Sequence, residues 1–246
     1  LERAFLTTAV NGPLYPEVSA DLERCLQLAN TSLREEDRSA TLATLWAYYL
    51  TRGDLHRCLQ LAKSSRLAGQ SWFRSAFGTA ALFGGELNDA RTALELVAAV
   101  LATTNIDYES VYYIPCDPIT SVHTHLALTR FVQGDLAGAE DQLAATVHRV
   151  ARLGFPQGPF SLGYQRFYQI WMSIETGRLD LAADIADESA VQVERHGFEY
   201  AAMLVAIQRA TIRAVAALAA GDGNPAALQP HIDAMARIVD EFGETE

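Results

Sequence analysis

A nine-residue segment recurs almost unchanged 33 residues further along the chain, and this repeat constrains the fold more than any other feature. Residues 21–29 read DLERCLQLA and residues 54–62 read DLHRCLQLA, so only Glu23 and His56 differ. A period of about 33 residues is typical of a helix–turn–helix unit, and such units bury their apolar faces only by stacking on their neighbours. The repeat therefore predicts stacked helical hairpins.

Turns that contain glycine recur in the same register. Each follows an apolar helical pattern, and its glycine is expected in the left-handed conformation that ends a helix. An acid follows four of the five glycines and can cap the next helix. A small residue stands five positions after each, where it lets two helices approach closely. The turns lie at Gly53, Gly85, Gly134, Gly177 and Gly221, and the small residues are Cys58, Ala90, Ala139, Ala182 and Ala226, with Cys25 equivalent in the first copy.

The periodicity of apolar residues predicts an all-α chain of about twelve helices. Gly78 is expected where the first helix of one unit crosses its partner. About six hairpins would form a right-handed α–α superhelix, with residues 1–246 as one repeat domain and a long inter-repeat loop over 103–118. The helices are expected over 1–10, 17–32, 37–51, 54–68, 71–84, 87–103, 118–132, 135–153, 159–176, 179–196, 199–220 and 225–242.

The net charge and the cysteine content limit which partners and which cellular location are expected for the chain. A net charge of −11 argues against nucleic acid or an anionic membrane, and the basic stretch from Lys63 to Arg74 is thin. Three cysteines without framework spacing indicate reduced thiols and a cytoplasmic location. The most apolar stretch, 200–220, carries Gln208, Arg209 and Arg213 in its middle, which argues against a membrane span.

Catalytic and cofactor motifs are missing from the sequence, so we expect no enzyme activity, no cofactor and no metal. Cys116, Asp117, His123 and His125 lie close together in sequence, but two histidines two residues apart diverge on a helix. We expect one histidine to be packed and the other exposed. A solvated outer helix face is expected to carry the carboxylates of Asp180, Asp184, Asp187 and Glu188.

Aromatic residues are the strongest candidates for binding. Tyr112 and Tyr113 lie in the long loop, and Tyr164, Phe167, Tyr168 and Trp171 form a stripe on the following hairpin's first helix. Such residues can anchor a peptide or a small ligand in an inner groove. The alternative, which we favour, is that they fill the interface within the hairpin, because aromatic stripes at helical spacing are usually core.

The repeat and its turns resemble tetratricopeptide repeats. Residues 115–218 resemble a narrower family through Cys116-Asp-Pro-Ile119, Gly134-Asp-Leu-Ala-Gly-Ala139, the run from Gly154 to Tyr164 and His196-Gly-Phe198. These segments are similar to the C-terminal repeat region of large actinobacterial regulators, which join an ATPase module to a cyclase or a LuxR-type DNA-binding domain. The run Gly-Phe-Pro-Gln-Gly-Pro departs from the tighter Gly-His-Pro-Phe-Ser-type turn expected there.

The resemblance implies a non-catalytic arm of a signalling or transcription regulator, which binds a protein partner or adjacent domains of its own parent chain. Since the chain begins at Leu1 rather than methionine, we expect it to be a segment of such a longer protein. An alternative is a sensor that binds a small-molecule effector in the concave groove near Trp171. A stand-alone enzyme would need carboxylates and histidine converging in a pocket, and we expect none.

Overall fold

The computed structural model describes residues 2–12, 15–29, 35–63, 71–103, 116–220 and 225–243, and every regular element in these ranges is a helix. The prediction of an all-α chain is therefore confirmed. The described helices are α1 Glu2–Asn11, α2 Pro16–Ala29, α3 Glu35–Thr51, α4 Leu55–Lys63, α5 Ser71–Phe83, α6 Leu87–Thr103, α7 Pro118–Val132, α8 Leu136–Ala144, α9 Val147–Val150, α10 Gln157–Glu175, α11 Leu179–His196, α12 Glu199–Ala219 and α13 Pro225–Gly243.

The single helix predicted over 135–153 is wrong, because the chain turns at residues 145–146 and divides it into α8 and α9. Thr146 is almost fully buried there, and its hydroxyl donates a hydrogen bond to the Leu143 carbonyl at 3.3 Å. A threonine that bonds its own local backbone competes with the helical ladder. Apolar periodicity alone does not reveal such a break.

The chain forms two compact units, residues 1–9 with 13–161 and residues 10–12 with 162–246. In the first unit, helices that follow one another pack side by side from α2 through to α8. In the second unit, α11 packs on α12 and α12 packs on α13. Each unit thus has a helical repeat-like architecture, and a single repeat domain over 1–246 stays a prediction.

The four glycine turns within the described residues share one backbone geometry, as predicted. Each glycine has a φ between +71° and +85°, and Gly221 lies outside the described residues. After each glycine, the next N–H donates to the carbonyl five residues back at 2.9 Å, which satisfies a carbonyl that the ending helix leaves open. The donor–acceptor pairs are Asp54 to Tyr49, Glu86 to Ala81, Asp135 to Arg130 and Arg178 to Ser173.

Two of the acids after these glycines cap the next helix. The carboxylate of Asp54 accepts the N–H of Arg57 at 3.1 Å, and that of Asp135 accepts the N–H of Gly138 at 3.0 Å. Arg178 makes no such side-chain bond. The capping prediction is confirmed for these two aspartates, whose short side chains reach the first turn of the helix.

The small residues after the turns are buried, which confirms their packing role. Cys58, Ala90, Ala139 and Ala182 expose at most 2 % of their surface, Cys25 is only partly buried, and the surroundings of Ala226 are outside the description. Gly78 marks a close helix crossing. A Cβ on Gly78 would lie 2.9 Å from Leu94 Cγ and 3.2 Å from Ala93 Cβ, so α5 approaches α6 too closely for a side chain there.

Apolar clusters form the cores of these packed helices. One joins α3, α4 and α5, and includes Trp46, Cys58 and Ala80. A second joins α6 to α7 through Leu94 and Leu126. The third lies in the second unit, where Ile170 of α10 meets Ala182, Ile185 and Ala186 of α11 and Ile212 of α12. Each hairpin therefore buries its apolar side against a neighbouring helix.

Candidate functional site

The predicted aromatic stripe lies on α10 in the second unit. Tyr164, Tyr168 and Trp171 stand at i, i+4 and i+7, so they share one face of the helix. The rings of Tyr164 and Tyr168 meet edge to face with centroids 5.3 Å apart, and Phe167 meets Tyr168 in the same way at 5.2 Å. This geometry is favoured by the ring quadrupoles and fixes the three rings relative to one another.

The stripe is neither fully core nor fully open. Tyr164, Phe167 and Tyr168 are half-buried, whereas Trp171 exposes 36 % of its surface. Ile170, next to Trp171, is completely buried in the apolar cluster. Helix α10 therefore presents part of each ring to solvent, which leaves both interpretations of the stripe, ligand groove and hairpin interface, as predictions.

A polar side chain from α12 reaches α10 beside the stripe. Gln208 is 7 % exposed, and its Nε2 donates to the Phe167 carbonyl at 2.8 Å. Its Oε1 is buried and makes no hydrogen bond. The bond from Nε2 to the Phe167 carbonyl therefore joins α12 to α10. Tyr112 and Tyr113, the other two predicted binding residues, lie outside the described residues.

A buried ion pair stands at the start of α7. The carboxylate of Asp117 is fully buried and accepts Nε and Nη2 of Arg149 on α9, at 2.8 and 2.6 Å. The same carboxylate caps α7 by accepting the N–H and the hydroxyl of Thr120, both at 2.9 Å. The backbone N–H of Asp117 donates to Ser161 Oγ of α10 at 2.7 Å. With the donors from Thr120 and Arg149 in place, the carboxylate is occupied as a structural link between α7 and α9.

The residues near Asp117 that the sequence offered as possible metal ligands, Cys116, His123 and His125, lie in different surroundings. Burial raises the pKa of the Cys116 thiol above its ordinary value, so this thiol stays protonated. His125 is buried, its Nδ1 lies 2.9 Å from Thr79 Oγ1, and burial lowers its pKa to about 3. His123 is partly exposed and its Nδ1 lies 2.9 Å from Gln142 Oε1. Within the described ranges, no group of three or more His, Cys, Asp or Glu could hold a metal ion.

The carboxylates of α11 lie on an exposed face, as predicted. Asp180, Asp184, Asp187 and Glu188 are all exposed. Asp187 pairs with Arg209 of α12 at 2.5 Å, and Glu188 pairs with Arg166 of α10 at 2.6 Å. These are surface ion pairs of small energetic value rather than a general acid–base arrangement.

A polar network between α6 and α7 was not foreseen from the sequence. Glu95 accepts hydrogen bonds from Arg91 at 2.9 Å and from Arg130 at 3.0 Å. Burial raises the pKa of Glu95, but the bonds from the two arginines outweigh it and keep that pKa below its ordinary value. The sequence signal for this network is Arg130, which stands where the repeat predicts an apolar residue.

Nearby, Gln133 and residues 85–89 line an open polar depression of about 530 Å³.

Helix α12 is the apolar stretch noted in the sequence. Among the described helices it is the one long and apolar enough to cross a membrane, with a mean hydropathy of 1.5 in its most apolar window. Length and composition alone are weak grounds, because core helices meet the same test. In this chain α12 packs between α11 and α13 and directs Gln208 and Arg209 to partners on neighbouring helices.

Comparisons with models of known protein families, with curated proteins and with solved structures find no match to this chain.

Proposed function

We propose that this chain is a non-catalytic, tetratricopeptide-like interaction arm of a bacterial signal-transduction or transcriptional regulator. The observation that carries the proposal is the repeated joint, in which four glycine turns make the same hydrogen bonds and are followed by a buried small residue. Copied hairpins of this kind build extended surfaces for protein partners. We also propose that the hairpins stack into a right-handed superhelix.

The chemistry of the described side chains supports binding over catalysis. His125 is a poor base because burial holds its pKa near 3, and the Asp117 carboxylate is already taken up by Arg149 and Thr120. The carboxylates of α11 face solvent rather than a pocket. A general acid or base needs a pKa near the working pH and reach to a substrate, and neither residue provides both.

The parent protein is proposed from the resemblance of residues 115–218 to ATPase-linked cyclase or LuxR-type regulators. Its arm would act in the cytoplasm on a protein partner or on the adjacent domains of its own chain. The coding sequence on both sides of residues 1–246 tests this directly. An ATPase, cyclase or LuxR-type module in the same reading frame supports the proposal, and an unrelated enzyme or secretion module contradicts it.

The superhelix is tested by small-angle X-ray scattering of the purified chain. A compact globule of 246 residues has a radius of gyration of about 18 Å. A stacked array of six hairpins is longer, so we expect a clearly larger value and an elongated distance distribution. A radius close to that of a globule contradicts the superhelix but leaves the all-α class untouched.

A second candidate function is a sensor for a small-molecule effector. It is favoured by Trp171, which remains 36 % exposed beside rings that are fixed edge to face. A ligand that binds only the folded chain raises its melting temperature. A thermal-shift screen of metabolites tests this, with Trp171→Ala as the variant that should lose any shift. Stabilisation that survives Trp171→Ala assigns the ligand to another site.

A further inference from the structure

The aromatic stripe of α10 continues into a carboxylate. Four side chains stand at i, i+4, i+7 and i+11, which places them within one narrow arc of the helix. We call them the α10 face, and they are Tyr164, Tyr168, Trp171 and Glu175. The face runs about 16 Å along the helix axis, and all of it lies within the second unit.

Exposure along the α10 face rises towards the carboxylate. Tyr164 and Tyr168 are half-buried, and their rings are held edge to face with centroids 5.3 Å apart. Trp171 exposes 36 % of its surface, and Glu175 is exposed as well. The face therefore offers a partly buried apolar surface at one end and an accessible ring next to a carboxylate at the other.

The exposed end of the α10 face favours positive charge. The π face of an indole ring carries the negative part of its quadrupole, and tryptophan binds cations better than the other aromatic side chains do. Glu175 adds a carboxylate, and it is the last residue of α10, where the helix dipole places partial negative charge. These effects act in the same direction, so they attract a cation and repel an anion.

The arginines of this unit that have recorded partners do not neutralise the carboxylate. Arg166 and Arg209 pair with carboxylates of α11 at 2.6 and 2.5 Å. Arg178, which follows the next glycine turn, donates from Nε to Thr176 Oγ1 at 3.0 Å. Within the part of the chain that the structure describes, no cation forms an ion pair with Glu175. Its charge is therefore available to a ligand.

From this arrangement we infer that the effector of the proposed sensor is a small organic cation with an apolar tail, whose ammonium group lies between Trp171 and Glu175 and whose tail lies on the two tyrosine rings. The inference rests on the sensor function proposed above and adds the chemical class of its ligand. A divalent metal ion does not fit the α10 face, because it needs several oxygen ligands and the face supplies one carboxylate.

Three probes with the same tail test the charge of the ligand, namely hexyltrimethylammonium, hexan-1-ol and hexanoate. Each is titrated into the ¹⁵N-labelled chain, and the indole N–H resonance of Trp171 is followed by NMR after its assignment with Trp171→Phe. We expect the cation to shift this resonance to saturation, and the alcohol to bind about tenfold more weakly, because it gains nothing from the ring quadrupole or the carboxylate. Hexanoate should bind more weakly still. Equal binding of the three probes overturns the inference.

Removal of one charge tests the carboxylate. Glu175→Gln keeps the size of the side chain and should weaken binding of hexyltrimethylammonium about threefold, the effect of one exposed ion pair, while binding of hexan-1-ol stays unchanged. Glu194→Gln makes the same change at an exposed position on α11 and should keep the wild-type affinity. Equal weakening by both variants would assign the effect to net charge and overturn the inference.

A second variant tests the ring. Trp171→Leu keeps a bulky apolar side chain but removes the π face, so binding of the cation should fall about threefold or more while binding of hexan-1-ol changes little. The N-methyl and tail signals of the probes report binding here, since the variant lacks the indole resonance. Unchanged binding of the cation contradicts the inference. If Trp171→Leu lowers the melting temperature of the chain, Trp171→Phe replaces it, because phenylalanine keeps the packing but binds cations more weakly.

Failure of this inference can be told from failure of the sensor function. If an uncharged metabolite stabilises the chain through Trp171 while hexyltrimethylammonium does not bind, the sensor function stands and the cationic class is wrong. If no ligand of any charge reaches Trp171, both proposals fail. Binding of a lysine-rich or arginine-rich peptide without binding of the small cation also overturns the inference, because it assigns the α10 face to a protein partner.

Discussion

Helices α3 to α5 and helix α7 are held in place by different kinds of interaction. Helices α3 to α5 are held together by the packing of apolar and small side chains, with Trp46, Cys58 and Ala80 in one cluster. Helix α7 instead buries polar side chains, among them Thr120, Thr124, His125 and Thr129. Apolar packing tolerates volume-conserving exchange, whereas a buried polar group depends on one particular partner. The packing of the first region follows the sequence repeat, whereas the polar contacts of the second do not.

The largest effect should come from breaking the buried pair at the start of α7. Asp117→Ala removes the partner of Arg149 and the cap of α7, so we expect a loss of about 3 kcal/mol in the free energy of unfolding. Urea unfolding followed by circular dichroism measures it.

A double-mutant cycle with Arg149→Met separates the pair from the cap. We expect a coupling between the two positions of about 1 kcal/mol or more. A loss below about 1 kcal/mol in Asp117→Ala would show that α7 does not depend on its polar contacts, and the contrast with α3–α5 would fail.

A glycine pair tests how closely the helices of the first unit cross. Gly78→Ala places a methyl group 2.9 Å from Cγ of the fully buried Leu94, so we expect a loss of about 1–3 kcal/mol in the free energy of unfolding. Gly163→Ala in α10 is the matched control, because no atom lies within 4 Å of its added Cβ. There alanine should stabilise the helix by up to about 1 kcal/mol. Equal melting temperatures for the two variants would contradict the close crossing.

His125 makes the stability of the α7 region depend on pH. Its pKa is about 3 in the folded chain, while the unfolded chain has an ordinary value near 6.5. As pH falls below about 6.5 the unfolded chain binds a proton that the folded chain refuses, so stability present above that pH is lost, by up to about 1.4 kcal/mol per unit. Urea unfolding between pH 7 and 5 measures the slope.

His125→Gln keeps a hydrogen-bonding group beside Thr79 but does not titrate, so its stability should fall less steeply over the same range. His123→Gln makes the same substitution at a partly exposed position and serves as the control for the change of side chain. A wild-type slope in His125→Gln would assign the proton uptake to another group.

The smallest effect concerns the caps that follow the repeated turns. Asp54→Ala removes the bond to the Arg57 N–H and should cost about 1 kcal/mol. Glu86→Ala, at the same position after the next glycine, lies on an exposed surface and should change stability by less than about 0.5 kcal/mol. Thermal unfolding of the two variants checks the difference. Equal losses would mean that the acid after the glycine acts through charge rather than through its hydrogen bond.

The features that sequence reasoning located are local ones. Glycine turns, buried small residues and most helix ends depend on neighbours within a few positions, so the recurring turns and the apolar periodicity were enough to place them. The break at 145–146 escaped, because it rests on one buried threonine. The contacts of Asp117 with Arg149 and of Thr79 with His125 join residues 32 and 46 positions apart, and no periodicity encodes them.

The candidate site was predictable only in part. Spacing placed Tyr164, Tyr168 and Trp171 on one face of a helix, which the structure confirms. How much of each ring stays open depends on Gln208 and on the helices beside α10, and these are set by tertiary packing rather than by the stripe itself.

The uniform glycine joints have a consequence for how this chain can change length. Successive joints are 32, 49 and 43 residues apart, yet each closes with the same backbone bonds. Since those bonds involve only the residues at the bend, insertions between two bends leave the bends themselves intact. Whole hairpins can therefore be added to or removed from a chain of this kind without changing the turns that remain.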